Sequence, residues 1–265
     1  MSERDDIPLD TILDRFGSIT LAEMDSIKLM NRIDTKYLTN TSTLEKVLSD
    51  AAQAGYLALE ADGTKIGRYD SLYFDTEGFK MYFDHHNRRL TRQKVRTRSY
   101  VDSGLTFLEI KRKNNKGRTR KKRIEIPAEE FGGFASDEKA CDYLRKHSAF
   151  TAGELSPSAE TAFRRITLVN PEKTERITID SDLFFKSFRS GLSASLPGAV
   201  VIELKQDGRA ASPMKGILLD HRVKPLRISK YCIATAVTVP GIKSGRFKEK
   251  VRAIEKTTNN KITAQ

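Results

Sequence analysis

Three cations stand at two-residue spacing in RQKVRTRSYV, residues 92–101: Lys94, Arg96 and Arg98, separated by Val95 and Thr97. Side chains alternate between faces along an extended strand, so these cations point one way and small neutral groups the other. The alternation recurs. Arg32, Asp34 and Lys36 share a face in NRIDTKY, Glu109, Lys111 and Lys113 in TFLEIKRK, and Lys121, Arg123 and Glu125 in KKRIEI. Arg176, Thr178 and Asp180 do so in RITID, Glu203 and Lys205 in VIELK, and Phe163 and Arg165 in AFRRITL. A sheet with one wet face gives the same pattern. These faces are mostly basic, however, whereas a solvated face mixes signs across strand pairs. A curved sheet with apolar helices outside turns such a face into a lumen, and crowded cations are tolerated there only with a polyanionic guest. Arg forks grip phosphate oxygens bidentately and Lys adds mobile point charge, so the implied guest is a chain of phosphates.

The acids among the cations carry separate information. Glu203 precedes Lys205 by two residues, and Glu109 precedes Lys111 by two. A carboxylate repels phosphate unless a divalent cation lies between them, and Mg²⁺ and Mn²⁺ are held by one or two carboxylates plus substrate phosphates. Glu203 is assigned to such a metal. Glu109 fits either a metal or an ion pair with its neighbours. Ser229 has no accompanying His or Asp motif that would make it a nucleophile, and is read as a phosphate binder opening a helix. His85 and His86 are expected at the surface, and SGLSASLPG as a flexible connection.

The elements that must position these residues follow from patterning. Residues 1–30 read as helical, with a Thr20–Glu23 capping box and an apolar face of Leu21, Met24, Ile27 and Leu29 or Met30. Core elements fill residues 31–240. NRIDTKYLTN reads as a strand, then STLEKVLSDAAQAG as a helix with a Ser42–Glu45 box and Gly55 at its stop. Strands follow at GRYDSLYFD, RQKVRTRSYV, LTFLEIKRK and RKKRIEIP, with turns at Gly104 and NNKGR. A helix at DEKACDYLRKH precedes strands at AFRRITLVN, ERITIDSDLFF and AVVIELKQ. Helices at SPMKGILLD and SKYCIATAVT come before a basic tail, residues 241–265. The expected class is α+β: one domain, an antiparallel eight-stranded tunnel or barrel with a basic lumen and helices packed outside.

Composition agrees with a basic lumen. Lys and Arg number 47 against 35 Asp and Glu in 265 residues, a net charge of +12 that favours an anionic partner. The two cysteines, Cys141 and Cys232, are expected as free thiols. The acidic N-terminus carries no apolar run, and no stretch approaches the ~18–20 apolar residues of a membrane span, so a cytoplasmic protein is expected. The basic run KRKNNKGRTRKKR would suit nucleic acid, but it crosses a hairpin and has no interleaved aromatics, so nucleic acid is disfavoured. Oligomeric state and any membrane partner stay open.

The ordered stretches RIDTKYL, YFDT, RQKVRTRSY, FLEIKRK, KKRIEI, ERITIDSDL, VIELK and RISKY resemble the catalytic domain of the vacuolar transporter chaperone (VTC) family, from about Arg32 to Tyr231. That domain is a polyphosphate polymerase within the triphosphate tunnel metalloenzymes, or CYTH superfamily. The resemblance implies an eight-stranded basic tunnel that transfers the γ-phosphate of ATP to a growing polyphosphate chain with Mn²⁺ or Mg²⁺ bound. It implies catalytic roles for Lys36, Arg96, Arg98, Lys111, Arg165, Arg176, Lys205 and Lys230. Phosphate binding is expected of Arg32, Lys94, Lys121, Arg123, Arg227 and Ser229, of which the resemblance matches Arg227, Ser229 and Lys121; it matches Glu203 as the metal-binding glutamate, with Glu109 a second metal candidate from the residue pattern alone. Two departures stand out. The hydrolytic branch opens on an E-x-E-x-K strand, where this chain has Arg32-Ile-Asp34-Thr-Lys36, with one acid; and Phe163 stands where the family tends to carry tyrosine. The alternatives are a triphosphatase on the same tunnel and a non-catalytic binder of polyphosphate or nucleic acid.

Overall fold

A computed structural model describes residues 9–27, 29, 32–208 and 211–265. Its elements run α1 (Leu9–Leu13), β1 (Gly17–Ile19), α2 (Leu21–Ser26), β2 (Ile33–Asn40), α3 (Thr41–Gln53), β3 (Leu57–Leu59), β4 (Gly67–Asp75) and α4 (Lys80–His86). Then come β5 (Arg92–Tyr100), β6 (Leu105–Lys113), β7 (Thr119–Ile126), α5 (Glu138–His147), β8 (Ser156–Val169) and β9 (Glu175–Ser187). The chain closes with β10 (Ser193–Leu196), β11 (Ala199–Gln206), α6 (Pro213–Asp220), α7 (Lys230–Thr238) and α8 (Gly245–Thr258).

Eight strands form one antiparallel path, β2-β11-β9-β8-β4-β5-β6-β7. The end strands β2 and β7 do not pair with each other, so the wall is open along that seam. The path nevertheless curls strongly: Lys111 on β6 feels the charges of Glu203 on β11 and Lys36 on β2, from the opposite end of the strand order. Outside, α3 and α6 lay Leu44, Val47, Leu48, Met214 and Leu218 against Ile177, Ile179, Val200, Ile202 and Leu204. Around the wall, α5 covers Val95, Leu108 and Ile110 with Ala140 and Leu144. These outward apolar residues are the alternates of the charged ones, as period two requires.

One helix departs from the outside-only arrangement. On α7, Tyr231, Cys232, Ile233 and Ala234 pack against Leu38, Tyr73, Phe163 and Val201. Leu38 and Val201 follow Lys36 and precede Glu203 at two-residue spacing, so they lie on the luminal face and α7 fills part of one end of the barrel. Its N-cap Ser229 accepts from the Cys232 amide and turns the helix N-terminus toward the lumen.

Several local expectations change. The Thr20–Glu23 capping box forms, but the N-terminal stretch also contains β1, paired parallel with β3. Met30 lies outside the described residues. Asn40, not Ser42, caps α3: its side chain is the acceptor that reaches the Thr43 amide. SGLSASLPG is no free loop, since β10 pairs with β9 and Ser193 with Gln265. The basic tail forms α8, anchored by buried Phe247 and Ile254. His86 is buried against Tyr82 and Phe247, contrary to a surface position, and only His85 reaches the lumen. Cys141 and Cys232 are free thiols. No helix among the described residues is long and apolar enough to cross a membrane.

Candidate functional site

All eight strands of the path contribute to one cavity of about 1180 Å³. Fourteen Lys and Arg line it among the described residues, against seven Asp and Glu. The cavity gathers Arg32, Lys36, Lys94, Arg96, Arg98, Lys111, Lys121, Arg123, Arg165, Arg176, Lys205, Ser229 and Lys230, with Glu109 and Glu203. Arg227 is the exception. It lies outside the lining and is exposed, because the extended segment before α7 turns Ile228 and Ser229 inward and Arg227 away.

Three carboxylates each bridge two cations. Glu109 Oε2 accepts from Arg96 Nε at 2.8 Å, and its other oxygen pairs with Lys121. Asp180 accepts from Arg165 at 2.6 and 2.9 Å and also holds Lys230. Glu203 lies 3.0 Å from Lys36 and 3.6 Å from Lys205. Burial works to raise all three acids, but the facing cations prevail and hold each well below the usual carboxylate range. Cross-strand register sets three of these pairs: Arg96 stands opposite Glu109, Lys36 opposite Glu203, and Arg165 opposite Asp180.

The cations are perturbed in turn. Desolvation, with like charges nearby, brings the ammonium groups of Lys111, Lys121 and Lys230 down to about 8. Lys111 has no hydrogen-bond or ion-pair partner among the described residues and opens to solvent in the lumen. Arg98, 7% exposed, donates to Ser71 at 3.0 Å and forms no ion pair with a described carboxylate. Such groups are poised for an anionic guest, which would replace the missing counter-charge.

Aromatic rings form a second layer under the cations. Phe163 lies 4.1 Å from Lys230, 5.1 Å from Arg165 and 5.8 Å from Arg98, so the ring contributes cation–π contact where a hydroxyl is absent. Tyr73 accepts from Arg96 at 2.8 Å and stacks on Tyr231. Burial tends to raise its phenol, but Arg96, Lys94, Arg98 and Lys230 outweigh it and bring it down to about 7. Residue patterning had assigned nothing to Tyr69, Ser71 and Tyr73. Their two-residue spacing in GRYDSLYFD was the available signal.

Among the described residues, no three His, Cys, Asp or Glu converge on a metal position. A divalent ion would therefore take one carboxylate and complete its shell with phosphate oxygens, as Mg²⁺ commonly does. Glu203 fits that arrangement best. Its side chain is 16% exposed, while Glu109 and Asp180 are 2% and 4% exposed and closed in by their cations.

A family model described as the VTC domain matches residues 31–239. Among solved structures, a candidate adenylate cyclase from Bacillus halodurans has the same fold at 13% identity, with 76% of this chain and 96% of that one covered and a TM-score of 0.51. A candidate adenylate cyclase from Vibrio parahaemolyticus aligns at 10% identity over 76% and 96%, TM-score 0.46. A Hippeastrum candidate adenylyl cyclase with a dominant triphosphatase activity aligns at 15% identity over 83% and 95%, TM-score 0.42. No curated protein matches the chain.

Proposed function

The chain belongs to the VTC domain family, and from that premise we propose that it is a polyphosphate polymerase that uses ATP and a divalent cation. The observation carrying this reading is the single cavity in which cations outnumber acids two to one and reach inward from every strand of the path. A nucleoside triphosphate and a polyphosphate chain together bring enough negative charge to satisfy that excess. A small neutral substrate does not.

In this reaction a terminal oxygen of the chain attacks the γ-phosphorus of ATP, the bond to the β–γ bridging oxygen breaks, and ADP leaves. Phosphoryl transfer needs alignment and charge neutralisation more than covalent help from the protein. Arg96, Arg98 and Arg165 supply planar donors held in place by Glu109, Ser71 and Asp180. Lys36, Lys111, Lys205 and Lys230 supply charge that follows the phosphoryl group, and Arg176 extends the grip along β9. Arg32, Lys94, Lys121, Arg123 and Ser229 bind flanking phosphates. Glu203 would hold Mn²⁺ or Mg²⁺ once phosphates draw Lys36 and Lys205 away, and the ion would neutralise charge between phosphates. A scarcity of free carboxylates leaves little to activate a water, which favours transfer over hydrolysis.

The test follows ³¹P NMR of purified protein with ATP and Mn²⁺. A growing internal-phosphate signal, lost in Lys230→Ala and Glu203→Ala, is the expected result. Release of orthophosphate alone would replace the polymerase with a triphosphatase, and tight polyphosphate binding without turnover would leave a binding tunnel.

A further inference from the structure

Cross-strand rungs on the luminal face of β5 and β6 change character along the cavity. Arg96 stands opposite Glu109, then Lys94 opposite Lys111, then Arg92 opposite Lys113. The last two rungs set cation against cation, an arrangement that destabilises a bare sheet. The rungs lead toward the end partly filled by α7, where Lys94 donates to Ser229 at 2.7 Å. Other elements add to this end. The Lys250 ammonium on α8 feels Arg88, Arg227 and Lys94, and the His85 imidazole feels Lys94, Arg92, Lys250 and Lys113. Phe247 carries the helix into place, 6.0 Å from His85 and 5.6 Å from Lys250.

None of Arg88, Arg92, Lys94, Lys113, Arg227 and Lys250 has an ion pair with any described carboxylate. The opposite end is built differently. There Arg32 pairs with Asp34 at 2.6 Å and Arg68 with Asp102 at 2.7 Å, and Asp25 and Asp62 also line the wall. At one mouth cations are paired with acids, and at the other these six have no acid partner among the described residues.

Resting on the polymerase reading, we propose that the rim formed by Arg88, Arg92, Lys113, Arg227 and Lys250 is a second binding site of this protein, which holds a linear polyphosphate segment outside the catalytic lumen. The rim draws on β5, β6, the α4–β5 turn, the segment before α7, and α8, so its cations outnumber what one orthophosphate can contact. None of these five cations has a carboxylate partner among the described residues, so the rim grips by direct Lys and Arg contact. Nor does it offer stacking platforms for bases: Phe247 is buried, which disfavours single-stranded nucleic acid. A polyanion carrying charge at every unit fits this chemistry, and it makes α8, beyond the family-matched residues 31–239, part of the substrate path.

The experiment compares binding of tripolyphosphate and of a long-chain polyphosphate, without divalent metal, by calorimetry on the full chain. Lys113→Glu and Lys250→Glu are each expected to weaken long-chain binding by about tenfold, with a shallower salt dependence, and to leave tripolyphosphate binding within about twofold. Lys113 lies on a hairpin and does not anchor α8, so the two variants separate charge from folding. Equal loss for both ligands, or no loss for either, would overturn the rim site. So would unchanged long-chain binding accompanied by lost binding of an oligonucleotide or of anionic vesicles. If wild-type protein binds neither phosphate ligand, the tunnel reading itself falls, an outcome distinct from failure of the rim alone.

Discussion

The interior of the tunnel and its α7-side rim solve the same electrostatic problem differently. Inside, Glu109, Asp180 and Glu203 each hold two cations, and strand register or short hydrogen bonds fix them. At the rim, Arg92 and Lys113 face each other with no acid between them. Desolvation makes an unpaired buried cation costly, so Arg96, Arg165 and Lys230 are given acids, with Arg98 on Ser71 the exception, whereas partly exposed cations can use water. Depth therefore favours acids inside without requiring one for every cation. The internal acids also fix the guanidinium groups in one geometry before a guest arrives, which is what alignment for the proposed phosphoryl transfer would require.

The largest expected effect comes from breaking an internal bridge. Asp180→Ala leaves Arg165 and Lys230, about 14% and 13% exposed, without their shared counter-charge. Removing one partner of such a buried pair costs about 3–5 kcal/mol. Chemical denaturation should register a loss of that size, partly restored by tripolyphosphate, which would supply anionic oxygens to the same cations. An unchanged denaturation midpoint would mean that water already screens the pair, and the contrast with the rim would lose its basis.

A pH series separates stability from binding. Lys111, Lys121 and Lys230 have folded values near 8, against 10.5 for an ordinary lysine. Between about 8 and about 10.5 the unfolded chain keeps protons that the folded chain has released, so stability rises with pH across that window. Tripolyphosphate binding should move the opposite way, because the lumen loses positive charge as the protein becomes more stable. At the acid end, Glu109, Asp180 and Glu203 lie below their ordinary range, so their contribution is present at neutral pH and is lost as pH falls below about 4. Denaturation midpoints with and without tripolyphosphate, measured across both windows, check the two signs. Parallel pH trends for stability and binding would show that these lysines do not face the guest.

Much of this was legible from residue spacing. Period two is a local property, so Lys94, Arg96 and Arg98 could be assigned to one face before any partner was known. Partners were less legible, because they depend on register between distant segments. Nothing near Asp180 in the chain announces that Arg165 and Lys230 will converge on it. The residue pattern also suggested a closed wall with every helix outside. The open β2/β7 seam and the luminal packing of α7 arise from how the strands curl, and single-strand patterning does not carry that. The fate of the tail is different. Phe247, Val251 and Ile254 in GRFKEKVRAIEK stand at helical spacing and signalled α8, but the density of charge around them masked the stripe.

The smallest predicted effect gives the comparison its sharpest edge. Lys113→Glu would place a carboxylate opposite Arg92, in the position Glu109 occupies opposite Arg96 two rungs further in. Replacing a like-charge rung with an opposite-charge one should raise stability by about 0.2–1 kcal/mol, visible as a higher denaturation midpoint at low salt and smaller at high salt. The same change is expected to weaken long-chain polyphosphate binding. A variant that is more stable and binds less well would indicate that the rim keeps its charge for a ligand at a cost to the fold. A variant that loses stability would mean that Lys113 already has a structural partner, and the unpaired rim would then be a feature of folding and not of binding.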